Sequence, residues 1–166
     1  MKPSFILLMG VSGSGKTRIG KLLATHLGWQ FYEGDKFHTP ENITKMSSGT
    51  PLNDDDRIPW LISLNKLIST SLKESRPGVL ACSALKEQYR QLLLRDCQGV
   101  LIVYLKGSYD LIWSRMSARP HHYMKPKMLK SQFEALEEPL NALVIDISQP
   151  VEEIVGLILG DLARLG

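Results

Sequence analysis

Eight consecutive residues of this chain, Gly10-Val11-Ser12-Gly13-Ser14-Gly15-Lys16-Thr17, fit the spacing G-x-x-x-x-G-K-[ST]. That spacing serves phosphate chemistry. The glycines let the backbone wrap a phosphate with its N–H groups, and the start of a following helix adds partial positive charge. Lys16 is long enough to reach the β- and γ-phosphates of ATP, and Thr17 offers a hydroxyl to Mg²⁺. Gly10, Val11, Ser12, Gly13, Ser14, Gly15, Lys16 and Thr17 are therefore the expected nucleotide loop. The loop does not say what receives the phosphoryl group.

Other residues address that question. Asp35 follows a second apolar segment and is the expected general base, since an alcohol acceptor must be aligned and give up its proton as the new bond forms. Arg57 follows the run Asp54-Asp55-Asp56, and Lys86 and Arg90 stand four apart on one helix face beside Tyr89. With His38, these cations suit a small, anionic, hydroxyl-rich acceptor, because guanidinium groups bind carboxylates in two-pronged geometry. Arg115 and Arg119, also four apart, suit a lid that closes over the phosphates, with Arg119 supplying charge to the transferring group. A guanine-reading N-K-x-D segment is absent, as Asn65-Lys66-Leu67-Ile68 ends in isoleucine. No strand ends in a Walker-B acid either, so Mg²⁺ must rely on Thr17, phosphate, water and one further carboxylate, for which Asp35 is a candidate. The adjacent pair His121-His122 has no carboxylate nearby and is not read as a metal site.

These residues need elements to position them. Phe5 to Met9 reads as a buried strand, and Ile19, Leu22, Leu23 and Leu27 give the helix after the loop an apolar face. Trp29–Tyr32, Val79–Cys82, Val100–Leu105 and Ala142–Ile147 read as further strands. Helices are expected from Pro40 to Ser48, from a cap at Asp54–Asp56 through Leu72, over 86–95, 108–118 and 127–136, and at the C-terminus. Residues 119–127 read as a loop rich in His, Lys and Pro. Alternating strands and helices imply an α/β, three-layer P-loop fold: a five-stranded parallel sheet flanked by helices, with a small lid at about 119–136. Ligands in such sheets collect at the carboxyl ends of the strands, where the loop, Asp35 and residues 83–90 all fall.

The 166 residues suit one domain, 1–166, with no linker or repeat. A formal net charge of +3 is slight, and with no basic surface laced by aromatics it argues against nucleic acid as partner. No apolar run is long enough for a membrane span and no secretory signal is evident. Cys82 and Cys97 lack metal or disulfide spacing, so both read as reduced thiols in the cytoplasm.

Beyond the loop, several segments resemble the small P-loop gluconokinases, within the shikimate- and adenylate-kinase-like group. They are Gly34-Asp35-Lys36-Phe37-His38 with Asn42 and Lys45-Met46, the run from Pro51 to Leu61, and Cys82-Ser83-Ala84-Leu85-Lys86 with Tyr89-Arg90. Ser131 to Glu137 is a weaker match. The resemblance implies ATP-dependent phosphorylation of D-gluconate at its terminal hydroxyl, giving 6-phospho-D-gluconate for the pentose phosphate route. It implies Asp35 as base, and His38, Arg57, Lys86 and Arg90 on the acceptor. It places Arg115 against adenine opposite Ser148-Gln149-Pro150, and Arg119 in the lid. It also implies a homodimer. Where the family has Gly-His-Phe after the lid arginine, this chain has Pro120 and then His121-His122-Tyr123. Its His-Pro pair is interrupted as His38-Thr39-Pro40. The alternatives are a kinase for another small anion, such as shikimate or a different sugar acid, and a nucleotide-binding module without catalysis.

Overall fold

β1 (Phe5–Met9) is five apolar residues in a row, each fully buried. Side chains alternate across a strand, so a run with no polar member requires cover on both faces. The computed structural model, which describes residues 2–119 and 126–166, shows that cover. Ile6 and Leu8 enter one core with Ile19, Leu23, Ile112, Ile154 and Ile158. Phe5, Leu7 and Met9 enter the other with Leu61, Leu64, Ile68 and Leu93.

After β1 come α1 (Lys16–Leu27), β2 (Gln30–Glu33), a short 3-10 turn (Gly34–Phe37), α2 (Pro40–Ser47), α3 (Asp54–Lys73) and β3 (Gly78–Ala81). Then follow α4 (Glu87–Leu93), β4 (Val100–Lys106), α5 (Tyr109–Ser117), α6 (Pro126–Ala135), β5 (Leu143–Asp146) and α7 (Val151–Arg164). The five strands are all parallel, in the order β2-β3-β1-β4-β5. α3 and α4 cover one face, and α1, α5, α6 and α7 the other. The α/β class and the five-stranded parallel sheet expected from the sequence are thus present. No helix among the described residues is long and apolar enough to cross a membrane.

Some expectations change. Trp29 precedes β2 rather than opening it: Gly28 closes α1 in a left-handed turn, and the Trp29 N–H bonds back to the Ala24 carbonyl at 2.9 Å. Leu22, expected on the buried face of α1, is 36% exposed. The cap of α3 is Asn53 rather than the acidic run. Its side chain accepts from the Asp56 N–H at 2.7 Å, and the Asp56 carboxylate accepts from the Asn53 N–H at 2.9 Å. This reciprocal pair satisfies two backbone donors and frees Asp54 for other partners.

Candidate active site

The strand order sets the site. β1 delivers the glycine-rich loop and β2 delivers Asp35, while β3, lying between them, delivers residues 82–86. The loop is tied to its neighbour where the Gly10 N–H bonds the Ser83 carbonyl at 3.3 Å. Gly13 has φ +81°, and a β-carbon there would meet the Met116 sulfur at 2.5 Å, so the loop can follow this path only with glycine.

The loop fits a polyphosphate. The Ser14 hydroxyl is buried with no hydrogen-bond partner among the described residues. The Lys16 ammonium bends over its own loop to the Gly10 and Val11 carbonyls, at 2.9 and 3.0 Å. Loss of solvent lowers its pKa, opposed by the charge of Asp35 and, more weakly, of Glu33. An unpaired hydroxyl and a partly desolvated cation are the donors that a bound phosphate would satisfy.

Thr17 donates to a Glu33 carboxylate oxygen at 2.5 Å. A hydroxyl and a carboxylate side by side are hard oxygen ligands suited to Mg²⁺. The sequence reading offered Asp35 for this role and missed Glu33. The signal was its place, an acid at the end of a strand that faces the loop.

Asp35 sits in the 3-10 turn. Gly34 before it packs so tightly that a β-carbon would come within 2.6 Å of the Ala81 carbonyl. The Gly34 carbonyl accepts from the Trp60 indole at 2.8 Å, which pins the turn to α3. His38 lies flat on that same indole, ring centroids 4.2 Å apart. Burial lowers the His38 pKa, Asp35 raises it and Arg57 lowers it, so all three groups share one field. Asn42, buried, stands 3.4 Å from His38 Nδ1 and donates to the Asp56 carbonyl at 2.8 Å.

Asp54 gathers the remaining polar groups. Its carboxylate accepts from the Tyr89 hydroxyl at 2.5 Å, from Lys86 at 3.3 Å and from Gln88 at 3.1 Å, with Arg57 at 3.9 Å. These bonds, led by that from Tyr89, lower the Asp54 pKa. Arg57 also donates to the Tyr89 hydroxyl at 3.2 Å, and both Arg57 and Lys86 lie 5.6 Å from its ring centre. Two cations and a phenol thus surround one carboxylate, donors of the kind that suit carboxylates. Asp54 was not singled out from sequence because one acid in a run of three carries no distinguishing pattern.

Arg90 is a correction. It is 3% exposed, and its donors are engaged. Nη1 reaches the Ala84 and Leu85 carbonyls at 2.7 and 3.2 Å, Nη2 reaches Glu87 and the Glu137 carbonyl, and Nε reaches Glu87. All five N–H groups are bonded, to four acceptor atoms, with Glu87 Oε2 taking two; none is left for an acceptor molecule, so Arg90 here builds the site rather than lining it.

On the nucleotide side, Asp146 organises the turn that ends at Pro150: it accepts from the Ser148 N–H at 2.8 Å, and its carbonyl accepts from Gln149 at 2.7 Å. Bonds from Ser148 lower the Asp146 pKa, and the charge of Arg115 contributes less. Arg115 is thus close enough to this turn for its charge to act on Asp146. Arg119 is exposed at the end of α5. The expected Pro120-His121-His122-Tyr123 departure lies outside the described residues. Among the described residues no cluster of three His, Cys, Asp or Glu could hold a metal.

Comparison with known proteins places the chain in a family. Residues 12–160 match the shikimate kinase family. The chain is 46% identical over 153 residues to the thermoresistant gluconokinase of Escherichia coli strain K12, covering 90% of this chain and 87% of that one. It is 41% identical over 177 residues to the probable gluconokinase of Mus musculus, covering 95% and 96%. The crystal structure of a gluconokinase from Sinorhizobium meliloti 1021 superposes with a TM-score of 0.88 at 43% identity, covering 99% of this chain and 94% of that one.

Proposed function

The chain belongs to the gluconokinases, within the shikimate kinase family of P-loop kinases, and from this we infer that it transfers the γ-phosphoryl group of ATP to the terminal hydroxyl of D-gluconate. The product is 6-phospho-D-gluconate. The observation that carries the reading is that the charge of Asp35 acts on both Lys16 and His38, with Arg57 acting on His38 as well, while Thr17 of the loop bonds Glu33 two residues before Asp35. A phosphate-binding lysine and an acceptor-side carboxylate then face one crevice.

The roles follow from position. Asp35 takes the hydroxyl proton as the acceptor oxygen bonds to phosphorus and the bond to the ADP oxygen breaks. Lys16 and the loop N–H groups bear the charge that builds on the phosphates. Arg57 and Lys86, with the Tyr89 hydroxyl, hold the acceptor carboxylate in competition with Asp54, and His38 is positioned to bond its hydroxyls. Thr17 and Glu33 would hold Mg²⁺, which supplies charge neutralisation across the phosphates when bound. Arg115 and Pro150 flank adenine, and Arg119 opens the lid segment, about 119–136, of which α6 is the described part. We assign a cytoplasmic, reducing location, in keeping with two free cysteines, and a homodimer as the assembly.

Incubating the protein with ATP, Mg²⁺ and D-gluconate and following phosphorus NMR tests this reading. A phosphomonoester on the terminal carbon is expected. ADP formation without that ester would refute it. A match to the shikimate kinase family over 12–160 makes shikimate the acceptor to compare.

A further inference from the structure

The segment Ser131 to Glu137, at the end of the lid segment, touches both halves of the site. The Gln132 side chain accepts from the Ser12 N–H through Oε1 at 2.7 Å and donates to the Ser12 hydroxyl through Nε2 at 3.0 Å. Both ends of one amide are thus spent on one loop residue. Five residues later, Glu137 grips the loop after β3. Its N–H bonds the Leu85 carbonyl at 2.7 Å, and its carboxylate accepts from the Glu87 N–H at 2.7 Å. Its carbonyl accepts from Arg90 at 2.8 Å. The Glu87 bond replaces the cap that Lys86, at the N-terminus of α4, does not make with its own side chain.

Ser12 is informative because of where it sits. The N–H groups nearest the start of α1 take the inner phosphates, and the lysine spans outward to the terminal one. Lys16 reaches Gly10 and Val11, so the stretch Gly10–Ser12 is the terminal-phosphate side of the loop.

We propose that Gln132 is a positioning residue for the γ-phosphoryl group: it fixes the Ser12 side of the loop and, through the Gln132–Glu137 strap, holds that side in register with the acceptor loop. The proposal rests on the kinase reading above. Ser12 and Gln132 thereby set where the terminal phosphate stands relative to the acceptor, without reacting themselves. Transfer to the acceptor then depends on Gln132, whereas binding of a diphosphate, which ends short of Ser12, does not.

The test compares wild type, Gln132→Ala and Gln132→Glu. Steady-state kinetics with gluconate, ATP hydrolysis without gluconate, and titration with ADP and a non-hydrolysable ATP analogue are measured. Gln132→Ala is expected to lower kcat at least tenfold, leave the KM for gluconate and the affinity for ADP within threefold, and raise hydrolysis relative to transfer. Gln132→Glu keeps an acceptor for the Ser12 N–H but adds charge beside the terminal phosphate. It is expected to weaken the ATP analogue at least tenfold more than ADP. Equal weakening of ADP and the ATP analogue in both variants would mean general damage to the loop and would overturn the proposal. So would a Gln132→Ala enzyme within twofold of wild type in kcat. If the wild type transferred no phosphate to gluconate, the kinase reading would fail, while the comparison of ADP with the ATP analogue would still judge Gln132.

Discussion

At the scale of single residues, the acceptor side rests on charges whose partners are visible. Asp35 adds its negative field to both Lys16 and His38, so one carboxylate lies near the phosphate lysine and near the imidazole. Replacing it with asparagine keeps shape and removes the proposed base. Asp35→Asn is expected to lower kcat by about 10²- to 10⁴-fold, with ATP affinity within about threefold of wild type by titration, since one neutralised neighbour changes the Lys16 field only modestly. His38 carries a pH dependence. Burial against Trp60 depresses its pKa, only partly opposed by Asp35 and reinforced by Arg57, with Asn42 its remaining polar neighbour. The unfolded chain therefore binds a proton more readily than the folded one. Stability that depends on neutral His38 is complete above the ordinary histidine value of about 6.5 and is lost as the pH falls below it. Urea midpoints from pH 7.5 to 5 are expected to fall more steeply for wild type than for His38→Phe, and parallel slopes would contradict the assignment.

At the scale of elements, the loop between β3 and α4 is held by a buried guanidinium. Arg90 joins Ala84, Leu85, Glu87 and Glu137, so removing it takes the donor from the Ala84 and Glu137 carbonyls, while the Leu85 carbonyl keeps the Glu137 N–H. Arg90→Met is expected to cost about 3 kcal/mol, or about 6–12 °C in Tm by calorimetry. The folded variant should keep its KM for gluconate within about threefold, and a large rise in KM with Tm unchanged would restore Arg90 to the acceptor. The sequence showed a cation four residues from Lys86, but helical spacing alone does not tell an outward face from an inward one. What turned Arg90 inward was the strap at Glu137, forty-seven residues away. By contrast, β1, the glycine-rich loop and the buried face of α3 were legible because each rests on local pattern: an unbroken apolar run, a fixed glycine spacing, and Leu61, Leu64 and Ile68 at helical intervals. The start of α3 was misjudged by one residue because three acids and an asparagine all cap well, and only the hydrogen bonds single out Asn53.

At the scale of the molecule, the parallel order β2-β3-β1-β4-β5 places the nucleotide loop and Asp35 on either side of the β3 loop, and that order is what brings three distant segments to neighbouring strand ends. The convergence was legible in outline, since strand ends are where parallel sheets bind ligands. Glu33 beside Thr17, Asp54 among its cations and Gln132 on Ser12 were not, because each depends on tertiary pairing between segments with no shared pattern. We propose that the nucleotide half of the enzyme is generic and that its acceptor half selects a small polyhydroxy acid. The most direct test is kcat/KM for D-gluconate against shikimate, D-glucose and other sugar acids, in wild type and in Arg57→Ala. The account predicts that gluconate leads the series by at least about tenfold, and that Arg57→Ala raises its KM by about 10- to 100-fold, as loss of a charged hydrogen bond to a carboxylate should. Equal turnover of glucose and gluconate, or an Arg57→Ala enzyme with gluconate KM unchanged, would contradict it.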